Sequence, residues 1–203
     1  MGANQNLEIE VKLPCSNLDC LYEAGLEVTL VEPRHFEDNW LFDFPDQRLY
    51  KEGAALRLRS VNGKGLLTYK GIVRDSETSP LKVREEIETG IEEPQQMVTL
   101  LERLDFHRSF RYQKYRTVYQ LTMSGEAVTV TFDETPMGNF IEVEGNEQGV
   151  LETMKAAGFR AEDIIRESYP ELQVKRCAER GIPLEDLVFQ ISDARYQMSV
   201  EVL

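Results

Sequence analysis

The sequence predicts an α+β fold: an eight-stranded antiparallel β-barrel, closed as a tunnel, with flanking helices. Three observations carry that expectation. Apolar and polar residues alternate at period 2 in segment after segment, as they do in strands with one buried face. Hairpin turns or short helices join these segments, which favours antiparallel pairing. The polar faces are built from Arg, Lys and Glu rather than Thr, Ser and Gln, so the charged side suits an enclosed space. About eight strands fits a small closed barrel.

Each element has its own signal. In 7–13 Leu7, Ile9, Val11 and Leu13 oppose Glu8, Glu10 and Lys12. Ser16 or Asn17 can cap a short helix to about Ala24, closed by Gly25. Residues 34–43 are extended and aromatic-rich, and Pro45-Asp46 opens a turn. In 54–61 Leu56 and Leu58 oppose Arg57 and Arg59; Asn62-Gly63 then reads as a hairpin turn and 66–71 as the returning strand. A loop runs through Pro80, and 81–89 sets Arg84, Glu86 and Glu88 against Val83 and Ile87. Pro94 starts a helix to about Leu104 whose stripe is Met97, Leu100, Leu101 and Leu104.

Residues 110–123 read as a strand carrying Lys114 and Arg116; Ser124-Gly125 turns it into 127–133, which ends at Asp133. The last clear strand is 138–145, with Ile141 and Val143 opposite Glu142 and Glu144, followed by a helix over 149–157 that stops at Gly158. A helical stretch over 161–180, interrupted by Pro170, comes next, and 182–203 gives no clear signal. The expected organisation is one tunnel domain over 1–172 and a C-terminal helical extension over 173–203.

Composition narrows the function classes. The 203 residues are 41% hydrophobic and 29% charged, as expected for one soluble globular domain. No apolar run approaches the ~18 residues of a membrane helix, and no basic-then-apolar start suggests a secretory leader. Cys15, Cys20 and Cys177 are odd in number and lack metal-finger spacing, so reduced thiols and a cytoplasmic location are expected. The net charge of −13 argues against nucleic acid and acidic membranes as partners. A local cation cluster inside a cavity can still bind a small anion.

The charged faces assemble such a cluster. The cations are Lys12, Arg57, Arg59, Lys70, Arg84, Lys114 and Arg116; the anions are Glu8, Glu10, Glu86, Glu88, Asp133, Glu142 and Glu144. For any one strand, a solvated polar face is the ordinary explanation. Over seven Arg-rich segments that explanation weakens. Guanidinium forks grip phosphate oxygens in bidentate fashion, and Lys adds compact charge. Carboxylates repel phosphate unless hard cations such as Mg²⁺ or Mn²⁺ lie between them.

The same residues resemble a known family. Glu8-Ile9-Glu10-Val11-Lys12 is similar to the ExExK signature of the CYTH superfamily, the triphosphate tunnel metalloenzymes, which include class IV adenylyl cyclases, thiamine triphosphatases and inorganic triphosphatases. Asn39-Trp40-Leu41-Phe42-Asp43 and Leu56-Arg57-Leu58-Arg59 resemble the family's aromatic-Asp and LRxR strands, and Lys70 its next-strand lysine. Arg84-Glu85-Glu86-Ile87-Glu88, Lys114 with Arg116, Asp133, Gly138 to Glu144 and Ser168-Tyr169 continue the resemblance in order over 7–172. ExExK alone is a weak pattern; the ordered set is specific.

The resemblance implies divalent metal on Glu8, Glu10, Glu142 and Glu144, with Asp133 and Glu86 or Glu88 as further candidates. It implies a triphosphate gripped by Lys12, Arg57, Arg59, Lys70, Arg84, Lys114 and Arg116. Glu8, Glu10, Lys12 and Glu86 are the expected catalytic group, with a small-molecule triphosphate as partner and a monomer or homodimer as assembly. The expected reaction is metal-dependent triphosphate hydrolysis, in which one metal orients the phosphates and another acidifies a water. Two rivals remain: cyclisation of ATP to cyclic AMP and pyrophosphate, and a polyphosphate-binding module without turnover. The carboxylate set counts against the last, because a pure anion binder gains nothing from acids beside its ligand. His35, His107, Trp40 and Tyr69 read as core or surface residues, Asp46 and Tyr50 as structural turn residues, and Tyr169, Lys175 and Arg176 as a solvated helix face near one tunnel mouth.

Overall fold

A computed structural model describes residues 7–72, 81–190 and 192–193. Its strands are β1 (Leu7–Pro14), β2 (Thr29–Asp43), β3 (Ala55–Val61), β4 (Lys64–Lys70), β5 (Lys82–Ile91), β6 (His107–Met123), β7 (Glu126–Thr135) and β8 (Gly138–Glu144). They close in the order β1-β5-β4-β3-β2-β6-β7-β8. Every neighbouring pair is antiparallel. The helices are α1 (Asp19–Glu23), α2 (Arg48–Lys51), α3 (Pro94–Arg103), α4 (Glu147–Ala156) and α5 (Tyr169–Arg180). The expected barrel with flanking helices is therefore the barrel observed. Among the described residues no helix is long and apolar enough to cross a membrane.

Two hairpins follow from local chemistry. Asn62 and Gly63 have φ of 49° and 80°, and Ser124 and Gly125 have 51° and 85°. Paired positive φ values give a turn whose twist matches that of the flanking strands, and Gly adopts them without a Cβ penalty.

The barrel is inverted relative to an ordinary core: its apolar faces point outward, under the helices. Val11, Leu13, Val128, Val130, Ile141 and Val143 form one cluster with Leu21 of α1 and Val150 and Met154 of α4. Each such side chain contributes roughly 1.5–3 kcal/mol on full burial. A Cβ at Gly149 would meet Val128 Cγ2 at 2.8 Å, so glycine permits the close seat of α4 on β7. A second cluster joins Phe42 and Leu58 to Val98 and Leu101 of α3. A third is not outward: Tyr112 and Tyr169 face the interior and pack with Phe110, Phe140 and Leu187.

Several local expectations are corrected. Pro170 does not interrupt a helix. Its missing N–H costs nothing in the first turn of α5, which Ser168 and Glu171 cap reciprocally, and only a 3-10 turn (Ala161–Asp163) precedes it. On α3 the buried residues are Val98 and Leu101, while Leu100 and Leu104 are exposed, so the apolar stripe lies about one position away from the one expected. α2 was not anticipated. Asp43 builds its start, accepting from the Leu49 amide at 3.0 Å and the Tyr50 amide at 2.9 Å. β2 begins five residues early, at Thr29. The expected loop over 73–80 lies outside the described residues.

β6 is longer than its neighbours. Its pairing with β7 starts only at Tyr115, which leaves 107–114 with an open edge on that side. The C-terminal segment occupies this edge: Gln113 N donates to Leu187 O, and Leu187 N to Arg111 O, each at 2.9 Å. α5 spans residue 172, and Leu187 and Phe189 beyond it are buried.

Candidate functional site

Strand parity turns the charged faces inward onto a cavity of about 850 Å³. Of the expected site residues, Glu8, Glu10, Lys12, Arg57, Arg59, Lys70, Arg84, Glu86, Glu88, Lys114, Arg116, Glu142 and Glu144 line it. Asp133 is fully buried behind the lining. Cross-strand register makes the array: Glu8 faces Arg84, Lys12 faces Glu142, Lys70 faces Glu86, and Arg116 faces Asp133.

One wall, from β2, β6 and β7 with Arg59 of β3, is basic toward the cavity. Lys114 Nζ donates to Asp133 Oδ2 at 2.7 Å, and Arg116 clasps Asp133 through Nε at 2.7 Å and Nη2 at 2.6 Å. Tyr169, the first residue of α5, reaches in to donate its hydroxyl to the same oxygen at 2.7 Å. Arg116 also bonds Glu142 of β8. Burial opposes ionisation of Glu142, but Arg116, Lys114 and Lys12 outweigh it and hold the carboxyl well below its ordinary range. Arg116 is held charged far above neutral pH, since Asp133 and Glu142 outweigh its own desolvation.

The opposite wall, from β1, β5 and the end of β8, gathers acids. Lys70 Nζ bonds both oxygens of Glu8 at 3.0 Å and lies 2.7 Å from Glu86. Arg84 approaches Glu8 at 3.2 Å and Glu10 at 3.7 Å. Glu144 has no ion-pair partner among the described residues. Withdrawal from water, and then the charges of Glu8, Glu10 and Glu86, push it up to about 7. Glu144 is exposed at the rim, so solvent weakens both the burial and the like-charge contributions.

Between the walls stands Arg57, buried. It donates to Thr68 at 3.2 Å and to the Tyr112 hydroxyl at 3.4 Å, with Glu86 at 3.6 Å and Glu88 at 3.5 Å. Thr68 donates to Glu88 at 2.7 Å, and with Arg57 this keeps Glu88 below its ordinary value despite partial burial. Lys12 lies 3.5 Å from Glu142 and 4.2 Å from the Tyr169 ring centroid, and donates to the Glu167 carbonyl at 3.1 Å. Of the helix-face trio, Tyr169 is thus inside the barrel, while Lys175 is exposed and paired with Glu167.

A divalent cation would need the acid wall. Among the described residues no three acidic, His or Cys side chains stand close enough together to hold a metal as placed. The donor chemistry nevertheless fits one. Glu8, Glu10 and Glu144 offer hard oxygen donors on neighbouring strands, their charges bear on one another, and Glu144 has no ion-pair partner among the described residues.

Residues outside the expected set also belong to the interior. Lys82 continues the alternation of Arg84 and Glu86 and lies 3.9 Å from Glu10. Burial, and then Arg84, lower its pKa. Tyr112 and Thr131 line the cavity. Glu37 is buried behind it, with Arg59 at 3.2 Å, Lys114 at 3.5 Å and Arg116 at 4.0 Å. Extending the alternation back from Arg84 would have found Lys82. Glu37 was hidden because the inner face of β2, Glu37-Asn39-Leu41-Asp43, mixes charged, polar and apolar residues. Trp40 lies against Arg108 and Arg111 on the outward face.

Comparison with known proteins adds to this geometry. Residues 6–169 match a family model described as the CYTH domain. A Methanocaldococcus jannaschii protein named "Putative adenylate cyclase" is 29% identical over 180 residues, covering 82% of this chain and 97% of that protein. The structure of a Vibrio parahaemolyticus protein with the same description superposes with a TM-score of 0.69 at 20% identity, over 83% of this chain and 98% of the other. A Hippeastrum adenylyl cyclase homologue, described as having a dominant triphosphatase activity, superposes with a TM-score of 0.50 at 22% identity, over 98% and 97%. At these identities the two structures speak to the fold.

Proposed function

This chain belongs to the CYTH domain family, and on that premise we propose that it hydrolyses a triphosphate, inorganic or organic, inside its barrel in a metal-dependent reaction. The observation that carries the proposal is the division of one cavity into a basic wall and an acid wall. A polyanion alone would need only the first. Arg57, Arg59, Lys114 and Arg116 grip phosphate oxygens and stabilise the charge that develops on the transferred phosphoryl group. Lys12, Lys70 and Arg84 hold the chain of phosphates against the other side. Mg²⁺ or Mn²⁺ on Glu8, Glu10 and Glu144, with Glu142 and Glu88 as further donors, would neutralise phosphate charge and lower the pKa of a bound water. The proton of the attacking water passes to a cavity carboxylate, Glu8, Glu10 or Glu86. Asp133 orients Lys114 and Arg116 from behind. The partner is a small molecule, the assembly a monomer or homodimer, and the location cytoplasmic.

A second reading is supported by the name of the M. jannaschii relative: cyclisation of ATP to cyclic AMP. The Hippeastrum protein shows that such a name and a dominant triphosphatase activity can coincide in one chain. The deciding assay incubates tripolyphosphate, ATP and thiamine triphosphate with Mg²⁺, Mn²⁺ or EDTA. Orthophosphate that requires metal, without cyclic AMP, is the expected result. Cyclic AMP with pyrophosphate would overturn it in favour of the cyclase, and no turnover would leave a binding module.

A further inference from the structure

Glu37 has no role in the reaction described above, yet it is almost wholly enclosed, 1% exposed. It does not line the cavity, whereas Arg59, Lys114 and Arg116 around it do. Its Oε1 lies 3.2 Å from Arg59, 3.6 Å from His35 and 4.0 Å from Arg116. Its Oε2 lies 3.5 Å from Lys114 and makes no hydrogen bond. A buried carboxyl would ordinarily resist ionisation, but Lys114, Arg59 and Arg116 hold this one well below its usual range. The cations also crowd one another: burial, and then Arg57 and Arg116, lower Arg59.

We propose that Glu37 is a positioning residue that sets the anion affinity of the basic wall: from behind, it aims Arg59, Lys114 and Arg116 at the cavity and cancels part of their charge. The count makes the point. Arg59, Lys114 and Arg116 face three carboxylates, Glu37 and Asp133 behind them and Glu142 beside Arg116, so the group is balanced as it stands. Without Glu37 the same group carries one net positive charge. A wall left at full charge would hold a polyphosphate, and its polyphosphate products, too tightly to release them. The inference rests on the triphosphatase reading for its consequence in turnover, and on geometry alone for its consequence in binding.

The test is calorimetric titration of the full chain with tripolyphosphate in EDTA at fixed ionic strength, comparing wild type, Glu37→Gln and Glu37→Asp. Glu37→Gln keeps shape and removes charge, and is expected to bind about tenfold tighter. Glu37→Asp keeps the charge but draws it back from the cations, and is expected to bind about twofold tighter; it carries the test if the Gln variant does not fold. With Mg²⁺, Glu37→Gln should lower KM and kcat together. Unchanged or weaker binding, or a raised KM at constant kcat, would overturn the proposal and leave Glu37 a structural brace. Wild type that binds tripolyphosphate in EDTA yet splits no triphosphate once Mg²⁺ or Mn²⁺ is added sinks the hydrolase reading, and the variant comparison still decides this one. Wild type that does not bind sinks both.

Discussion

On the β2–β6–β7 wall, Asp133 accepts from Lys114, Arg116 and Tyr169 and does not line the cavity; on the β1–β5–β8 wall, Glu144 faces solvent and the charges of three further acids, with no ion-pair partner among the described residues. Both are strand carboxylates, on the adjacent strands β7 and β8. What separates them is the company each keeps. An acid behind cations is a structural part that aims them. An acid among acids favours the approach of a positive charge. The first kind should cost stability when removed, and the second should cost activity.

The largest expected effect tests the second half of that statement. Glu8→Gln with Glu10→Gln should lower metal-dependent phosphate release by about a thousandfold or more, the scale of losing metal catalysis worth several kcal/mol. The melting temperature should fall only modestly, because relief of repulsion with Glu144 offsets part of the pairing lost at Lys70, Arg84 and Lys82. Steady-state rates beside a thermal melt decide it, and a collapsed melt with retained specific activity would reverse the roles of the two walls.

Arg116→Ala attacks the first half. It strips Asp133, Glu142 and Glu37 of a shared partner inside the barrel. Removing one member of a buried charge cluster costs about 3–5 kcal/mol, to be read from urea unfolding. A cost no larger than that of Glu144→Gln would erase the distinction.

The pH dependence of stability should also split between the walls. Glu144 is raised from an ordinary 4.5 to about 7 in the folded chain. Its contribution is complete below about 4.5 and is lost as pH rises through about 7. Glu37 and Glu142 are lowered, so their contribution is present above the ordinary value and is lost only as pH falls below it. Metal-free protein should therefore melt lower at about pH 8 than at about pH 6. Glu144→Gln should flatten that slope, as should Mg²⁺. A slope unchanged in the variant would assign the titration elsewhere.

The barrel was legible because period-2 alternation and hairpin turns are local signals, and the inward charges followed from parity once closure was granted. Arg57, Arg59 and Lys114 could be placed from sequence for that reason. Three features could not. Tyr169 enters the interior from a helix that begins dozens of residues after the last strand, and no local pattern shows that contact. Glu37 stands on a strand whose inner face is not uniformly charged. The C-terminal segment that covers β6 depends on unequal strand pairing, a property of the closed sheet. The division between front and rear acids has the same origin, since Asp133 and Glu142 look alike in sequence and differ only in which cations fold over them.

The smallest expected effect concerns Glu88, the β5 acid set toward Arg57 and proposed only as a further donor to the metal. Glu88 has a side chain 41% exposed, accepts from Thr68 at 2.7 Å and sits 3.5 Å from Arg57. Its partner Thr68 also serves Arg57, so Glu88→Gln keeps an acceptor for both. Screening by solvent leaves little of the ion pair to lose. Stability should change by less than about 0.5 kcal/mol, and phosphate release by no more than about threefold, or roughly 0.6 kcal/mol in barrier. A drop as deep as that of the Glu8 and Glu10 double variant would instead show that Glu88 turns toward the metal when substrate is bound, and the acid wall would then extend across β5 to the Arg57 side of the tunnel.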